Sequence, residues 1–211
     1  MDVIQTKKYK IIELLLLFVV VPTFLVLTVA TWLKLSLVLL AVVYVGVISK
    51  KLNFFEGIFI FNKPSKSFWN RFLIIAILLF AGGFFLIKNI DEALLFKIVN
   101  TKPLLWITIL FVYSFLSVIP QELLYRGYFF KRYVDAFESK KILYGLNVFC
   151  FSYCHLFLKN YWVLLITAIG GVLFLYTYTK EKDLLPVIIE HSLYGNLIFT
   201  LGLGEMLAFP S

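Results

Sequence analysis

Long runs of apolar residues, separated by short polar gaps, fill most of the 211-residue chain. The runs are about 17–22 residues long, which is the length an α-helix needs to cross the hydrocarbon core of a bilayer. They do not alternate with polar residues at every second position, as the strands of a membrane barrel do. Because only helices and closed barrels satisfy their backbone polar groups in lipid, the pattern predicts membrane-spanning helices.

Seven spans are predicted, at about residues 11–32, 34–49, 71–88, 103–133, 141–158, 161–179 and 184–204. Pro22 is expected to break the first span. The fourth span would be about 46 Å long as a straight helix, so it is expected to tilt, to kink at Pro120 or to project into the cytoplasm. Residues 52–70 mix phenylalanine and isoleucine with polar residues, which predicts a segment lying along the membrane interface. The predicted fold class is therefore all-α, a polytopic bundle of about seven transmembrane helices.

Composition and charge agree with this class. Hydrophobic residues make up 62% of the chain and charged residues 15%, against about half and a quarter in soluble domains. The net charge of +8 is explained better by the positive-inside rule than by nucleic-acid binding. Lysines before the first span, Lys7, Lys8 and Lys10, predict a cytoplasmic N-terminus. We therefore expect an integral membrane protein whose surroundings are the lipid bilayer, with no nucleic-acid partner.

Ionisable residues interrupt three of the predicted spans. Glu122 and Arg126 lie four residues apart in the fourth span, where a helix would place them on one face. His155 lies in the fifth span, and the adjacent Glu190 and His191 lie in the seventh. Because charge is costly in hydrocarbon, such residues face the interior of a bundle and indicate a functional site.

These residue types suffice for peptide hydrolysis. A glutamate shielded from bulk water can take a proton from an attacking water molecule, and histidine transfers protons readily near neutral pH. A further group can stabilise the developing oxyanion. The sequence leaves simpler explanations open: Glu122 and Arg126 could form a purely structural ion pair. His155 and His191 could be hydrogen-bonded core histidines.

Metal and thiol sites are less favoured. A glutamate and two histidines can bind zinc, but no single helix carries a His-x-x-x-His or His-Glu-x-x-His motif, so we expect no cofactor. Cys154 adjoins His155, yet successive residues of an α-helix point about 100° apart, which disfavours a thiol–imidazole dyad. Cys150 and Cys154 are expected to be packed thiols and not a disulfide.

Three short motifs follow one another in the second half of the chain: Gln121-Glu-Leu-Leu-Tyr-Arg126, Phe151-Ser-Tyr-Cys-His155 and Pro186-Val-Ile-Ile-Glu-His191. They resemble the Glu-Glu-x-x-x-Arg, Phe-x-x-x-His and final histidine motifs of the CPBP family. That family comprises CAAX-processing and bacteriocin-processing intramembrane proteases, similar to the type II CAAX prenyl endopeptidase. The resemblance divides one integral membrane domain into N-terminal helices with the interfacial segment over 1–102 and CPBP-like catalytic helices over 103–211.

The resemblance implies a glutamate-type intramembrane endopeptidase. Glu122 and His155 would position and activate water, His191 would assist the oxyanion, and Arg126 would hold the acidic residues in place. The substrate would be a membrane or lipid-linked protein, cleaved near its C-terminus or in a membrane-adjacent segment. We expect a bacterial cytoplasmic membrane as the location, and the oligomeric state stays open.

The first departure from the family pattern is Gln121, which replaces the first glutamate of the pair. Glu122 would then be the base. Alternatively, Gln121 would position water while Glu122 or Glu190 accepts the proton, or the chain would be a catalytically silent immunity or binding protein.

The second departure follows His191. The family usually has asparagine four residues later, but that position is Gly195 in this chain, and Asn196 comes one residue further on. Tyr194 is another candidate hydrogen-bond donor. A proton-coupled transporter also fits buried ionisable groups, although the sequence shows none of the internal repeats typical of transporters.

Overall fold

A computed structural model describes residues 3–54, 56 and 62–204. Seven helices in these ranges are long and apolar enough to span a membrane. They are α1 (Lys7–Val26), α2 (Thr31–Lys51), α3 (Lys66–Ile90), α4 (Pro103–Tyr133), α5 (Lys140–Leu158), α6 (Tyr161–Glu181) and α7 (Leu184–Leu201). The prediction of an all-α polytopic membrane protein with about seven spans is confirmed.

The N-terminal end of α3 lies earlier than the predicted start at residue 71. The side chain of Ser65 accepts a hydrogen bond from the backbone N–H of Phe68, at 3.0 Å, and so caps a helix that begins at Lys66. Arg71 therefore lies inside the helix and not at its boundary. The predicted interfacial segment over 52–70 is corrected at this end, and most of its central residues lie outside the described residues.

The predicted break at Pro22 is wrong, because the first helix continues through this residue, whereas a kink at Pro120 stays a prediction. The chain forms a π-helical turn over Leu16–Val20 before Pro22, and another over Tyr113–Val118 before Pro120, and both helices continue. Proline has no N–H group and crowds the preceding turn. A wider turn at this place accommodates the ring without ending the helix.

The chain divides into two compact units. Unit 1 comprises residues 1–59 and 124–175, and unit 2 comprises residues 60–123 and 176–211. Both units draw on the N-terminal and the C-terminal half of the chain. The division at residue 102 that the resemblance suggests stays a prediction.

Helix α7 is the most buried span in the described part of the chain. Half of the residues in its most apolar stretch are buried, compared with 6% in the corresponding stretches of α2 and of α3. The Asp183 side chain accepts a hydrogen bond from the backbone N–H of Leu185 and caps the start of α7. The helix ends at Gly202, whose φ of 105° is a conformation that other residues rarely adopt. The seventh span thus carries its polar residues into the protein interior.

A buried carboxylate organises unit 1. The Glu13 side chain on α1 accepts hydrogen bonds from Arg132 Nε and Nη2, at 2.9 and 2.6 Å. It also accepts bonds from the hydroxyl groups of Tyr44, Tyr128 and Tyr133, at 2.7–2.8 Å. These five bonds connect α1, α2 and the end of α4, and they satisfy a charge that would otherwise destabilise the buried interior.

We expect Glu13→Ala to destabilise the protein strongly, because it leaves the buried Arg132 without its counter-ion. Breaking a buried ion pair in this way costs about 3–5 kcal/mol. The measurement is thermal unfolding of the purified protein in detergent micelles. The matched control is Glu138→Ala, since the Glu138 side chain is 97% exposed. A similar melting temperature for the two variants would contradict the structure.

Candidate active site

Unit 2 brings together two of the predicted site residues, Glu122 on α4 and His191 on α7. His191 Nδ1 donates a hydrogen bond to Glu122 Oε1 across 2.6 Å. The Glu122 side chain is fully buried, and that of His191 is 7% exposed. A short hydrogen bond between imidazole and carboxylate is strong in an environment with little water. Within unit 2, these two residues of the predicted site are therefore in direct contact.

The backbone of α4 is irregular on both sides of Glu122. Only one α-helical turn, Ile119–Glu122, lies between the π-helical turn described above and a second one over Leu123–Tyr128. Each π-helical turn adds one residue and so changes the direction of the following side chains by about 100°. The direction of Glu122 therefore depends on these insertions, which recur at functional sites.

The second acidic residue of the predicted site, Glu190, is completely buried and has a different environment. It accepts hydrogen bonds from Arg71 Nη1, at 2.6 Å, and from the hydroxyl groups of Thr177 and Tyr194. Arg71 Nη2 also donates to Thr177 Oγ1, at 2.5 Å. These contacts hold α7 to α3 and to the end of α6 at the residue directly before His191.

Arg71 is a supporting residue that sequence reasoning missed. The predicted third span begins at this residue and so places it at the membrane boundary. The signal that could have identified it is the serine at position 65 with an apolar run after residue 71, which places a helix start five residues before the arginine.

The predicted supporting residues Gln121 and Asn196 each donate to a serine of α4. Gln121 Nε2 donates to Ser117 Oγ at 2.8 Å, and Asn196 Nδ2 donates to Ser114 Oγ at 3.1 Å. Their carbonyl oxygens are buried and have no hydrogen-bond partner among the described residues. Buried acceptors of this kind commonly bind ordered water.

His155 lies in unit 1, at the end of α5. Its Nδ1 lies 2.9 Å from the carbonyl oxygen of Phe151, an acceptor to which Nδ1–H can donate. The imidazole also packs edge-on against the Phe151 ring, with centroids 5.4 Å apart. That His155 shares a water molecule with Glu122 and His191 stays a prediction.

Arg126 also lies in unit 1, where its side chain is fully buried. Its Nη2 donates to the carbonyl oxygen of Gly171 at 3.2 Å, and its guanidinium lies 4.3 Å from the centre of the Phe151 ring. Stacking on an aromatic face stabilises a cation away from water. The predicted role of Arg126 in holding the acidic residues stays a prediction.

The expectation that Cys154 and His155 point apart is wrong. Cys154 Sγ lies 3.3 Å from His155 Nδ1, in the 3-10 turn Cys154–Leu158 at the end of α5. Sγ also donates to the carbonyl oxygen of Phe151 at 3.1 Å, which is a bond of the thiol and not of a nucleophilic thiolate. Both cysteines are free thiols, as predicted.

A cavity of about 560 Å³ opens in unit 2, a size typical of ligand pockets. Arg71 and Thr177, which both bind Glu190, form part of its wall. Its remaining lining residues are mostly polar or charged: Asn62, Lys63, Ser65, Ser67, Phe68, Tyr176, Lys180 and Glu181. Within the described ranges, no group of three or more His, Cys, Asp or Glu side chains is arranged to bind a metal ion. That the protein needs no cofactor stays a prediction.

Comparison with protein families matches residues 103–197 to the model described as type II CAAX prenyl endopeptidase Rce1-like. The matched segment contains Glu122, His155 and His191. No curated protein sequence and no solved structure matches the chain.

We expect Arg71→Ala and Glu190→Ala to be strongly non-additive in stability, because either change alone breaks the same buried ion pair. Residues in direct contact show coupling energies of about 0.5–3 kcal/mol in double-mutant cycles. Unfolding of the two single variants and the double variant in detergent measures the coupling. The control cycle uses Lys7→Ala and Glu138→Ala, a 3.8 Å pair on the surface. Additive losses at Arg71 and Glu190 would contradict the contact.

Proposed function

We propose that this protein, whose residues 103–197 belong to the Rce1-like family of type II CAAX prenyl endopeptidases, is an intramembrane endopeptidase with Glu122 as its general base. The family is one of CAAX-type proteases, and the chain is an integral membrane protein whose described residues form seven apolar helices. The observation that carries the proposal is the buried hydrogen bond between His191 and Glu122 inside the matched segment.

Glu122 takes a proton from a water molecule while the water oxygen attacks the carbonyl carbon of the scissile peptide bond. The proton then passes to the nitrogen of the leaving amine as the carbon–nitrogen bond breaks. The products are a new carboxyl terminus and a new amino terminus. His191 Nδ1 holds one oxygen of Glu122 in place, and a positioned base of this kind supplies general base catalysis.

The environments of the acidic motif favour Glu122 over its neighbours as the base. An amide cannot accept the proton of water, so Gln121 is limited to hydrogen bonding. Glu190 is held by a guanidinium and two hydroxyl groups, so its carboxylate is engaged in contacts between helices. Glu122 Oε1 is bound by the imidazole of His191, a type of side chain that serves in proton transfer in many enzymes.

The substrate is a membrane or lipid-linked protein, cleaved near its C-terminus or in a segment next to the membrane. A catalytic residue inside a membrane span acts on chain that lies in or beside the bilayer. The polar cavity of unit 2, next to Glu190, offers a place for such an extended segment. A bacterial cytoplasmic membrane with the N-terminus in the cytoplasm is part of the proposal and is supported by the distribution of lysines.

We expect Glu122→Gln to lower the cleavage rate by about 10²–10⁴-fold, because the amide keeps the shape of the side chain but cannot accept a proton. The assay uses the protein in liposomes with a pool of membrane-anchored peptides of randomised C-terminal sequence, and mass spectrometry identifies the cleaved bonds. The control is Glu92→Gln, which changes an exposed glutamate of unit 2. Unchanged cleavage by Glu122→Gln would refute the assignment.

Gln121 favours one alternative, a non-catalytic immunity or binding protein of the same family. The same peptide pool separates the two functions. The endopeptidase predicts cleavage by the natural sequence, whereas the binding protein predicts retained peptides and no cleavage. The alternative also predicts no gain of cleavage on Gln121→Glu.

A further inference from the structure

The space beside Gly195 on α7 is filled by an aromatic side chain from α4. A Cβ atom at position 195 would overlap Cε1, Cζ and the hydroxyl oxygen of Tyr113. The tip of the phenol therefore lies where the side chain of residue 195 would otherwise project. Glycine at this position is required by the close approach of the ring and not by the backbone, which is helical.

Contacts on two sides fix the position of Tyr113. Its ring packs edge-on against the Phe199 ring, with centroids 4.7 Å apart, and edge-on against the His191 imidazole, with centroids 6.0 Å apart. The side chain is 8% exposed and belongs to a buried cluster that includes Ile109 and Val118. A ring held in this way presents its hydroxyl group in one place.

That place is close to the Glu122–His191 pair. Residues 191 and 195 are four apart on α7, so they lie on one face with Cβ atoms about 5–6 Å apart. The Tyr113 hydroxyl, at residue 195, is therefore about one helical turn from the imidazole that binds Glu122. A hydroxyl O–H is a hydrogen-bond donor in a part of the protein with little water, where a donor stabilises negative charge most effectively.

The two donors that the sequence suggested for this role each make a hydrogen bond in the structure. The Tyr194 hydroxyl lies 3.1 Å from Glu190 Oε1, and the Asn196 amide donates to Ser114. Sequence reasoning missed Tyr113 because it precedes Glu122 by nine residues, a separation that a regular helix does not place on one face. The π-helical turn over Tyr113–Val118 changes that register.

We propose that the Tyr113 hydroxyl donates a hydrogen bond to the carbonyl oxygen of the scissile peptide as that oxygen becomes negatively charged. Tyr113 is thus a catalytic residue, and it keeps its own proton throughout the reaction. Gly195 leaves the space that the Tyr113 ring occupies, because it has no side chain. This inference rests on the proposed endopeptidase function and adds the residue that stabilises the oxyanion.

Tyr113→Phe tests the role with the least change in shape. Removing one oxyanion donor lowers kcat by about 10²–10³-fold, and we expect KM and the melting temperature to change little. Tyr161→Phe is the control, since it removes a hydroxyl from a side chain that is 89% exposed. The peptides are those cleaved by the natural sequence in liposomes. An unchanged kcat for Tyr113→Phe would overturn the inference, while a loss of cleavage in Glu122→Gln would still support the proposed function.

A double variant separates a catalytic role from a packing role. Tyr113→Ala removes the ring, and adding Gly195→Asn places an amide donor in the space that the ring leaves. We expect the double variant to recover at least about tenfold in kcat over Tyr113→Ala alone, because a single donor of this kind contributes that much or more. A double variant no faster than Tyr113→Ala, with a normal melting temperature, would show that the hydroxyl is not the oxyanion donor.

Discussion

The hydrogen bond from His191 Nδ1 to Glu122 Oε1 is the constraint to which the rest of unit 2 is fitted. A buried carboxylate that lacks donors destabilises a protein by several kcal/mol, so α4 and α7 must bring these two side chains together. The π-helical turns on either side of Glu122 give α4 the register for this contact. Glu190, the residue directly before His191, is bound to Arg71 and Thr177 and so holds α7 in place. The contacts of Glu190 and of Glu122 together fix the position of the His191 imidazole.

The two buried glutamates of unit 2 illustrate how partners decide what a carboxylate does. Glu190 accepts hydrogen bonds from Arg71, Thr177 and Tyr194, and these contacts make it an anchor between helices. Glu122 is instead paired with the imidazole of His191, in the contact between α4 and α7. In unit 1, the five bonds to Glu13 again make an anchor. The buried carboxylates of this membrane protein thus connect helices to one another in both units.

The sequence predicted the features that depend on local pattern. Apolar run lengths identified the seven spans found in the described residues. Glu122, Glu190 and His191 were recognisable one by one, because a polar or charged residue is costly in hydrocarbon, but their catalytic roles stay predictions. It did not predict the Glu13–Arg132 pair, which joins residues 119 positions apart. It also missed Tyr113 and the ring that fills the space beside Gly195, because π-helical turns alter the side-chain direction without a clear sequence signal. The geometry of a site between helices requires the fold itself.

The most direct test of the Glu122–His191 pair is nitrogen NMR of the two histidines, using protein with ¹⁵N-labelled imidazoles in detergent micelles. His155→Gln removes the two ring-nitrogen signals of His155, so the two signals that remain belong to His191. The account predicts a protonated, strongly hydrogen-bonded Nδ1 on His191 that changes markedly in Glu122→Gln, with the His155 signals unaffected. Identical His191 spectra in the natural sequence and in Glu122→Gln would contradict it.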